Sequence, residues 1–371
     1  MGPSRETIEG FGFVDPRNEA ILADGVFDLL DAARVIEDVQ GKVVGQQSQI
    51  IAIVEYIMLW LERCRAICEG VHAAEVPRLS SLLLIGPTAS GKTYVLKTIC
   101  ETMGLPLTVV NAALLTGSGW RGASVENELF AIAKKRDADP DGIQVVLFDE
   151  FDKLRASVRT EADGFNAQPD LLKALDGGIY RGVADDSDRT PYELDVDRVL
   201  FLFAGAFTGL GKRFVAPRLR KQLYAVGNDP DEDLERIAYS EDENLLREQA
   251  GPEDLIHWGI IPEFTGRIGS IVSLPALTED EMVAIVNSSP RSVQNRFARL
   301  MPEGIAFVIE DDAARLIAAR ALESGLGARC LESIVAPHAA AAARRCKADC
   351  SLTRASIIVG DDGSNIELSL G

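Results

Sequence analysis

Residues 81–93 constrain this chain more than any other stretch. Ser81-Leu-Leu-Leu-Ile85 is a short apolar run that reads as a strand. Gly86-Pro87-Thr88-Ala89-Ser90-Gly91-Lys92-Thr93 follows at once, and Lys92–Met103 reads as a helix stopped by Gly104. The eight loop residues match G-x-x-x-x-G-K-[ST] in full, and the strand before and helix after supply the context that motif requires. Free backbone N–H groups at a helix N-terminus hold phosphate oxygens. In that reading Lys92 reaches the β- and γ-phosphates of a nucleotide and the Thr93 hydroxyl ligates Mg2+.

A second acidic element fits the first. In Val145-Val-Leu-Phe148-Asp149-Glu150, four apolar residues form a buried central strand that ends in two carboxylates. Asp149 would hold the Mg2+ shell, and Glu150 would orient and activate an attacking water. The plainer alternative has Asp149 only capping a following helix, Phe151–Ala156.

Strand and helix patterns alternate through the first three quarters of the chain. Leu107–Val110, Val145–Phe148 and Val199–Phe203 read as strands, and Val125–Lys135 as a helix. An apolar helix is expected between Lys42 and Gly70, after an irregular lead-in of about 35 residues. Such alternation predicts an α/β fold, a parallel sheet with helices on both faces. After Leu277 the pattern turns helical, at Thr278–Asn287, Arg291–Leu300, Asp311–Glu323 and Arg329–Lys347, with one or two short strands in Ala355–Leu370. The expected division is an N-terminal extension over 1–38, a large α/β nucleotide-binding domain over 39–276 and a small helical domain with a β edge over 277–371.

Charge narrows the function. The 371 residues carry 57 acids against 38 Lys and Arg, a formal net charge of −19. A surface of that sign disfavours general nucleic-acid or anionic-membrane binding. The longest apolar run, Ile50–Leu61, is interrupted by Glu55 and is too short to span a bilayer. The N-terminus is charged throughout and lacks the pattern of a secretory signal. Six cysteines without such a signal suit a reduced, cytoplasmic protein. Cys64/Cys68 and Cys346/Cys350 are spaced more widely than the tight pairs of structural zinc sites.

Further segments occur in order: Val43-Val44-Gly45-Gln46, Phe148-Asp-Glu-Phe-Asp-Lys-Leu154, Gly205-Ala-Phe-Thr-Gly-Leu210, Asp254 to Arg267 with Pro262-Glu-Phe-Thr-Gly-Arg267, and Gly327-Ala-Arg329. With the phosphate loop, they make the chain resemble the AAA+ ATPases, and within them the ClpX/HslU branch, over roughly residues 40–370. The resemblance implies roles. Val44, Gly45 and Gln46 would contact the nucleotide base. Arg267 would reach the γ-phosphate of a neighbouring subunit, so a hexameric ring is implied. Arg329, the second sensor, would touch the nucleotide of its own subunit and convert its state into domain motion. Gly119-Trp120-Arg121-Gly122 stands where the branch carries a pore loop that grips polypeptide. There Arg121 would add a preference for acidic segments.

Departures from the branch are as informative. Its cysteine-rich zinc domain is absent from the first residues. Its first polar sensor is unassigned at Phe203-Ala-Gly-Ala206, with Thr208 a candidate. Its basic pore-entrance tripeptide is replaced by Asp185-Asp186-Ser187-Asp188. The segment 211–251 holds no Ile-Gly-Phe tripeptide, the docking element for a ClpP-type peptidase. Instead Lys212, Arg213, Arg218, Arg220 and Lys221 precede eleven acids within 226–255. That insert is either a solvated loop or a docking element for another partner. The expected function is an ATP-driven unfoldase or remodeller of proteins working without ClpP. The alternative is an ATP-dependent switch or assembly factor that never threads a chain.

Overall fold

The computed structural model describes residues 31–116, 123–137, 142–154, 167–184, 189–226 and 232–371. Five strands form its central sheet: β1 (Ser81–Ile85), β2 (Leu107–Asn111), β3 (Gln144–Asp149), β4 (Val199–Gly205) and β5 (Ile268–Ser273). Their spatial order is β2-β3-β4-β1-β5, and every pairing is parallel. Parallel neighbours need crossover connections, which place helices on both faces. One face carries α1 (Ala32–Gln40), α2 (Gln47–Cys68) and α3 (Lys92–Met103). The other carries α4 (Val125–Asp137) and short helices between 168 and 265.

Burial on both faces explains why the strands are apolar without alternation. Leu83, Ile85, Val146, Phe148, Phe201 and Phe203 enter one core. Their neighbours Leu82, Leu84, Val145, Leu147, Leu200 and Leu202 enter the other. The period of two is hidden because both sides are dry. An aromatic cluster lies under the acidic end of β3. Phe148 stacks on Phe203 at 5.5 Å, and Phe151 meets Phe203 at 4.7 Å and Phe264 at 5.0 Å. Such pairs add roughly 0.5–1.5 kcal/mol each beyond area burial, which fixes the strand end that presents Asp149.

The C-terminal domain has its own core, running from Met282 through Ile317 and Val335 to Ile366. Helices Glu279–Val283, Val293–Ala298, Asp311–Glu323 and Leu331–Ala348 pack on a small sheet of β6 (Ala306–Ile309), β7 (Arg354–Val359) and β8 (Ile366–Leu370). β6 and β7 are parallel, while β7 and β8 are antiparallel.

The structure also differs from the sequence expectation. Helix α1 occupies part of the expected irregular lead-in, sealed by Val35 and Val39. The edge strand β5 was not anticipated. Neither was an antiparallel hairpin of Ile179–Val183 with Pro191–Asp195. A single turn, Phe151–Leu154, replaces the expected helix from Phe151 over its described part. The described residues of the charged insert are largely helical, at Ala216–Val226, Glu232–Ala238 and Glu243–Glu248. Two ion pairs join its basic and acidic blocks. Lys212 pairs with Glu241 at 2.7 Å, and Arg218 pairs with the fully buried Asp254 at 2.8 Å. Glu243 accepts from the backbone N–H groups of Gly211 and Lys212. Residues 119–122 and 185–188 lie outside the described residues. Among those described, no helix is long and apolar enough to cross a membrane.

Candidate nucleotide site

β1 runs out at Ile85 into the phosphate loop, and α3 begins at Lys92 behind Gly91, whose φ is +91°. Gly86 has no room for a side chain, since a Cβ there would sit 2.4 Å from the Leu274 carbonyl oxygen. The first turn of α3 leaves N–H groups without intrahelical partners, as an anion site requires. Lys92 is buried, and its Nζ donates to the carbonyls of Gly86 at 2.8 Å and Pro87 at 2.9 Å. Burial pushes its pKa down to about 8, although the Asp149 and Asp152 carboxylates pull the other way.

Thr93 Oγ1 donates to Asp149 Oδ2 at 2.6 Å, and the backbone N–H of Glu150 donates to Asp149 Oδ1 at 2.8 Å. A hydroxyl and a carboxylate are hard oxygen ligands of the kind Mg2+ takes, so this pair fits that ion. Glu150 is exposed at the strand end, in the left-handed region at φ 58°. A non-glycine residue held there stores strain, a recurrent property of functional positions. Elsewhere among the described residues, no three His, Cys, Asp or Glu side chains gather to hold a metal.

The base-motif residues flank the same loop. Gln46 is buried, and its amide nitrogen donates to the carbonyls of Ser90 at 3.3 Å and Pro275 at 3.0 Å. Gln46 Oε1 and Ser90 Oγ are buried without a protein partner among the described residues. Two such orphaned polar atoms beside a phosphate loop fit a polar ligand. Gly45, at φ +70°, lies so near Glu281 that a Cβ would approach its Oε1 to 2.2 Å.

These groups open into one cleft of about 910 Å3. That volume lies in the range of small-molecule and cofactor sites, roughly 300–1,000 Å3. The large domain contributes Val43, Val44, Gln46, Thr88–Thr93, Asp149 and Glu150. The small domain contributes Leu277, Ile285, Arg291, Arg296, Arg299 and Arg329. Arg329 lies on a short turn, Gly327–Cys330, just before helix Leu331–Ala348. A Cβ on Gly327 would come within 2.9 Å of Ala89 Cβ, so the small domain rests directly on the phosphate loop.

The structure therefore brings Lys92, Thr93, Asp149, Glu150, Gln46 and Arg329 to one cavity. Arg267 is elsewhere. Its carbonyl accepts from Ser81 N at 2.7 Å, at the start of β1, whereas the phosphate loop leaves the other end. A five-residue strand spans roughly 15 Å, beyond the reach of the Arg267 side chain to its own subunit's loop. Its guanidinium is half-exposed and pairs with Asp176. Thr208 is exposed and does not line the cleft, where Ala206 stands instead.

Sequence reasoning missed several lining residues. Asp152 is buried and accepts from Ala206 N at 3.1 Å, tying the acidic element to the end of β4. It lay inside the quoted acidic segment, so a signal existed. Arg291, Arg296 and Arg299 had none, because their meaning depends on how the small domain folds back. Arg291 pairs across the domains with Glu101 of α3 at 3.4 Å.

Comparison with known proteins agrees with this geometry. Residues 82–205 match the family described as ATPase family associated with various cellular activities (AAA). Residues 277–338 match the C-terminal, D2-small domain of ClpB protein. The chain is 30% identical over 270 residues to the ATP-dependent Clp protease ATP-binding subunit ClpX of Treponema denticola. It is also 30% identical over 268 residues to the subunit of the same name from Bacteroides thetaiotaomicron. Each match covers 69% of this chain and 63% of the relative's own length. With a complete phosphate loop, an acidic strand end beside it and a small domain closing the cleft, residues 82–205 carry the AAA ATPase domain and the chain as a whole is ClpX-like.

Proposed function

We propose that this protein binds ATP with Mg2+ in the interdomain cleft, hydrolyses it, and uses the cycle to unfold or remodel protein substrates. The loop N–H groups and Lys92 hold the β- and γ-phosphates. Thr93 and Asp149 hold Mg2+, which neutralises phosphate charge when bound. Glu150 accepts the proton of the attacking water. Arg329 carries nucleotide state into the small domain. Arg267 acts on the nucleotide of a neighbouring subunit in a hexameric ring, a contribution of the kind worth ~10³–10⁵ in rate. The single observation that carries this reading is the cleft itself, lined by Lys92 and Glu150 from one domain and Arg329 from the other.

The finer parts of the reading rest on sequence. Trp120 between Gly119 and Gly122 suits a loop that grips peptide without sequence preference, and Arg121 biases it toward acidic segments. The lack of an Ile-Gly-Phe tripeptide in 211–251, and the folding of that segment on itself, favour work without a ClpP-type peptidase.

The decisive variant is Glu150→Gln. It should bind ATP with parental affinity, lose at least about a hundredfold in turnover and retain bound substrate protein. Parental turnover would remove Glu150 from the mechanism. Trp120→Ala should keep the ATPase and lose work on substrate; if substrate processing survives, the protein acts as a switch and not a threading machine.

A further inference from the structure

The hairpin of Ile179–Val183 and Pro191–Asp195 is anchored at its base and across one face by polar contacts that packing alone does not need. Across one face two phenols converge on one carboxylate. Tyr180 donates to Glu126 Oε1 at 2.6 Å and Tyr192 to Glu126 Oε2 at 2.7 Å. Glu126 lies in the first turn of α4, the helix that follows residues 117–122. The hairpin register sets Gly182 opposite Tyr192, and a Cβ on Gly182 would come within 2.6 Å of both the Tyr192 hydroxyl and Glu126 Oε2. Glycine at that place lets the ring lie across the strand and meet the carboxylate.

The base of the hairpin, where Ile179 faces Asp195, meets Arg267. Asp176, just ahead of the hairpin, pairs with the Arg267 guanidinium. Gly177 and Gly178 follow it, both left-handed at φ +79° and +69°, and form the reversal into the first strand. Arg78 donates to the carbonyls of Leu175 and Asp176. Asp197, just past the second strand, accepts from Gly178 N at 3.2 Å and pairs with Arg63 at 2.8 Å. The hairpin is therefore fixed at its base, by the contacts of Asp176 and Asp197, and across the face that meets α4.

We propose that this hairpin is a strut which positions Arg267, with Asp176 as the residue that orients the guanidinium and the Tyr180–Glu126–Tyr192 clamp as the residues that fix the strut to α4. The proposal rests on the reading of Arg267 as a group acting on a neighbour's nucleotide. A half-exposed arginine samples many rotamers, and a carboxylate held on a rigid element narrows them before the interface forms. None of these positioning residues lines the nucleotide cleft among the described residues, so they should not alter ATP affinity.

The test is steady-state ATPase of the assembled full chain, with ATP affinity and oligomeric state measured on each variant. Asp176→Asn, a surface change that leaves the fold intact, should lower kcat about tenfold with KM for ATP within about twofold. Tyr180→Phe with Tyr192→Phe, and separately Glu126→Gln, should lower kcat in the same sense. Each loss should vanish in an Arg267→Ala background, because residues acting through one group are not additive. Losses that add to that of Arg267→Ala, or an Asp176→Asn enzyme with parental or raised kcat, overturn the strut. Parental kcat in Arg267→Ala alone overturns the role of Arg267 itself and the strut with it.

Discussion

Lys92 is the proposed phosphate-binding residue whose ionisation burial alters. It occupies a buried site, where its pKa falls to about 8 from an ordinary value of 10.5. Phosphate groups favour the ammonium form, so nucleotide binding draws a proton onto Lys92 once the pH exceeds that value. ATP affinity should be flat below pH 8 and weaken by at most about tenfold per pH unit above it. Calorimetric titration in buffers of different ionisation heat should register proton uptake at about pH 9 and little at pH 7. Lys92→Arg, which keeps its charge throughout this range, should show no such slope. Lys92 and Thr93 were legible in the sequence because local spacing sets their geometry, and Asp149 and Glu150 because they end an apolar strand, although the Thr93–Asp149 contact spans 56 residues. Arg291 and Asp176 were not, because their partners Glu101 and Arg267 lie 190 and 91 residues away.

At the scale of elements, the strands that lead into the phosphate loop and Asp149 were readable because they are short, apolar and bounded by turn residues. The edge strand β5 was obscured by Gly269, Ser270 and Ser273. An edge with one neighbour tolerates small and polar residues that a central strand would not. The hairpin escaped notice because its outer face is mixed and its inner face carries tyrosines whose meaning lies in Glu126, far back in the chain. Gly182 gives a direct check of that packing. Gly182→Ala should destabilise the large domain by roughly 1–3 kcal/mol, since the new methyl meets the buried Tyr192 ring. Thermal unfolding should show the loss, and Tyr192→Phe should not restore it, since the ring carbon as well as the hydroxyl is in the way.

For the whole molecule, three cores decide behaviour. Two share the central sheet and should melt together, whereas the C-terminal core is separate. Near the site they are joined by the walls of the cleft, the Arg291–Glu101 pair and the contacts of Gly327 with Ala89 and of Gly45 with Glu281. A ligand that touches both walls stabilises the joined state by mass action. Scanning calorimetry without nucleotide should resolve two transitions, and saturating ATP analogue with Mg2+ should merge them or raise the lower one. A single transition unmoved by nucleotide would count against a ligand bridging the domains. The division into two domains was legible from the change of pattern near Leu277. The closeness of their contact was not, since it depends on one glycine at φ +54° meeting one loop alanine.

Arg267 and the phosphate loop stand at opposite ends of β1. If Arg267 acts on a neighbour's nucleotide as proposed, that placement gives each subunit a head and a tail. Contacts made by such a subunit are heterologous, the same pair of unlike surfaces repeated, and they end only if the rotation closes. Any open assembly then carries one orphan loop at one terminus and one idle arginine at the other. On that proposed role, closure would give every loop its arginine, and turnover per subunit would measure how many assemblies are shut.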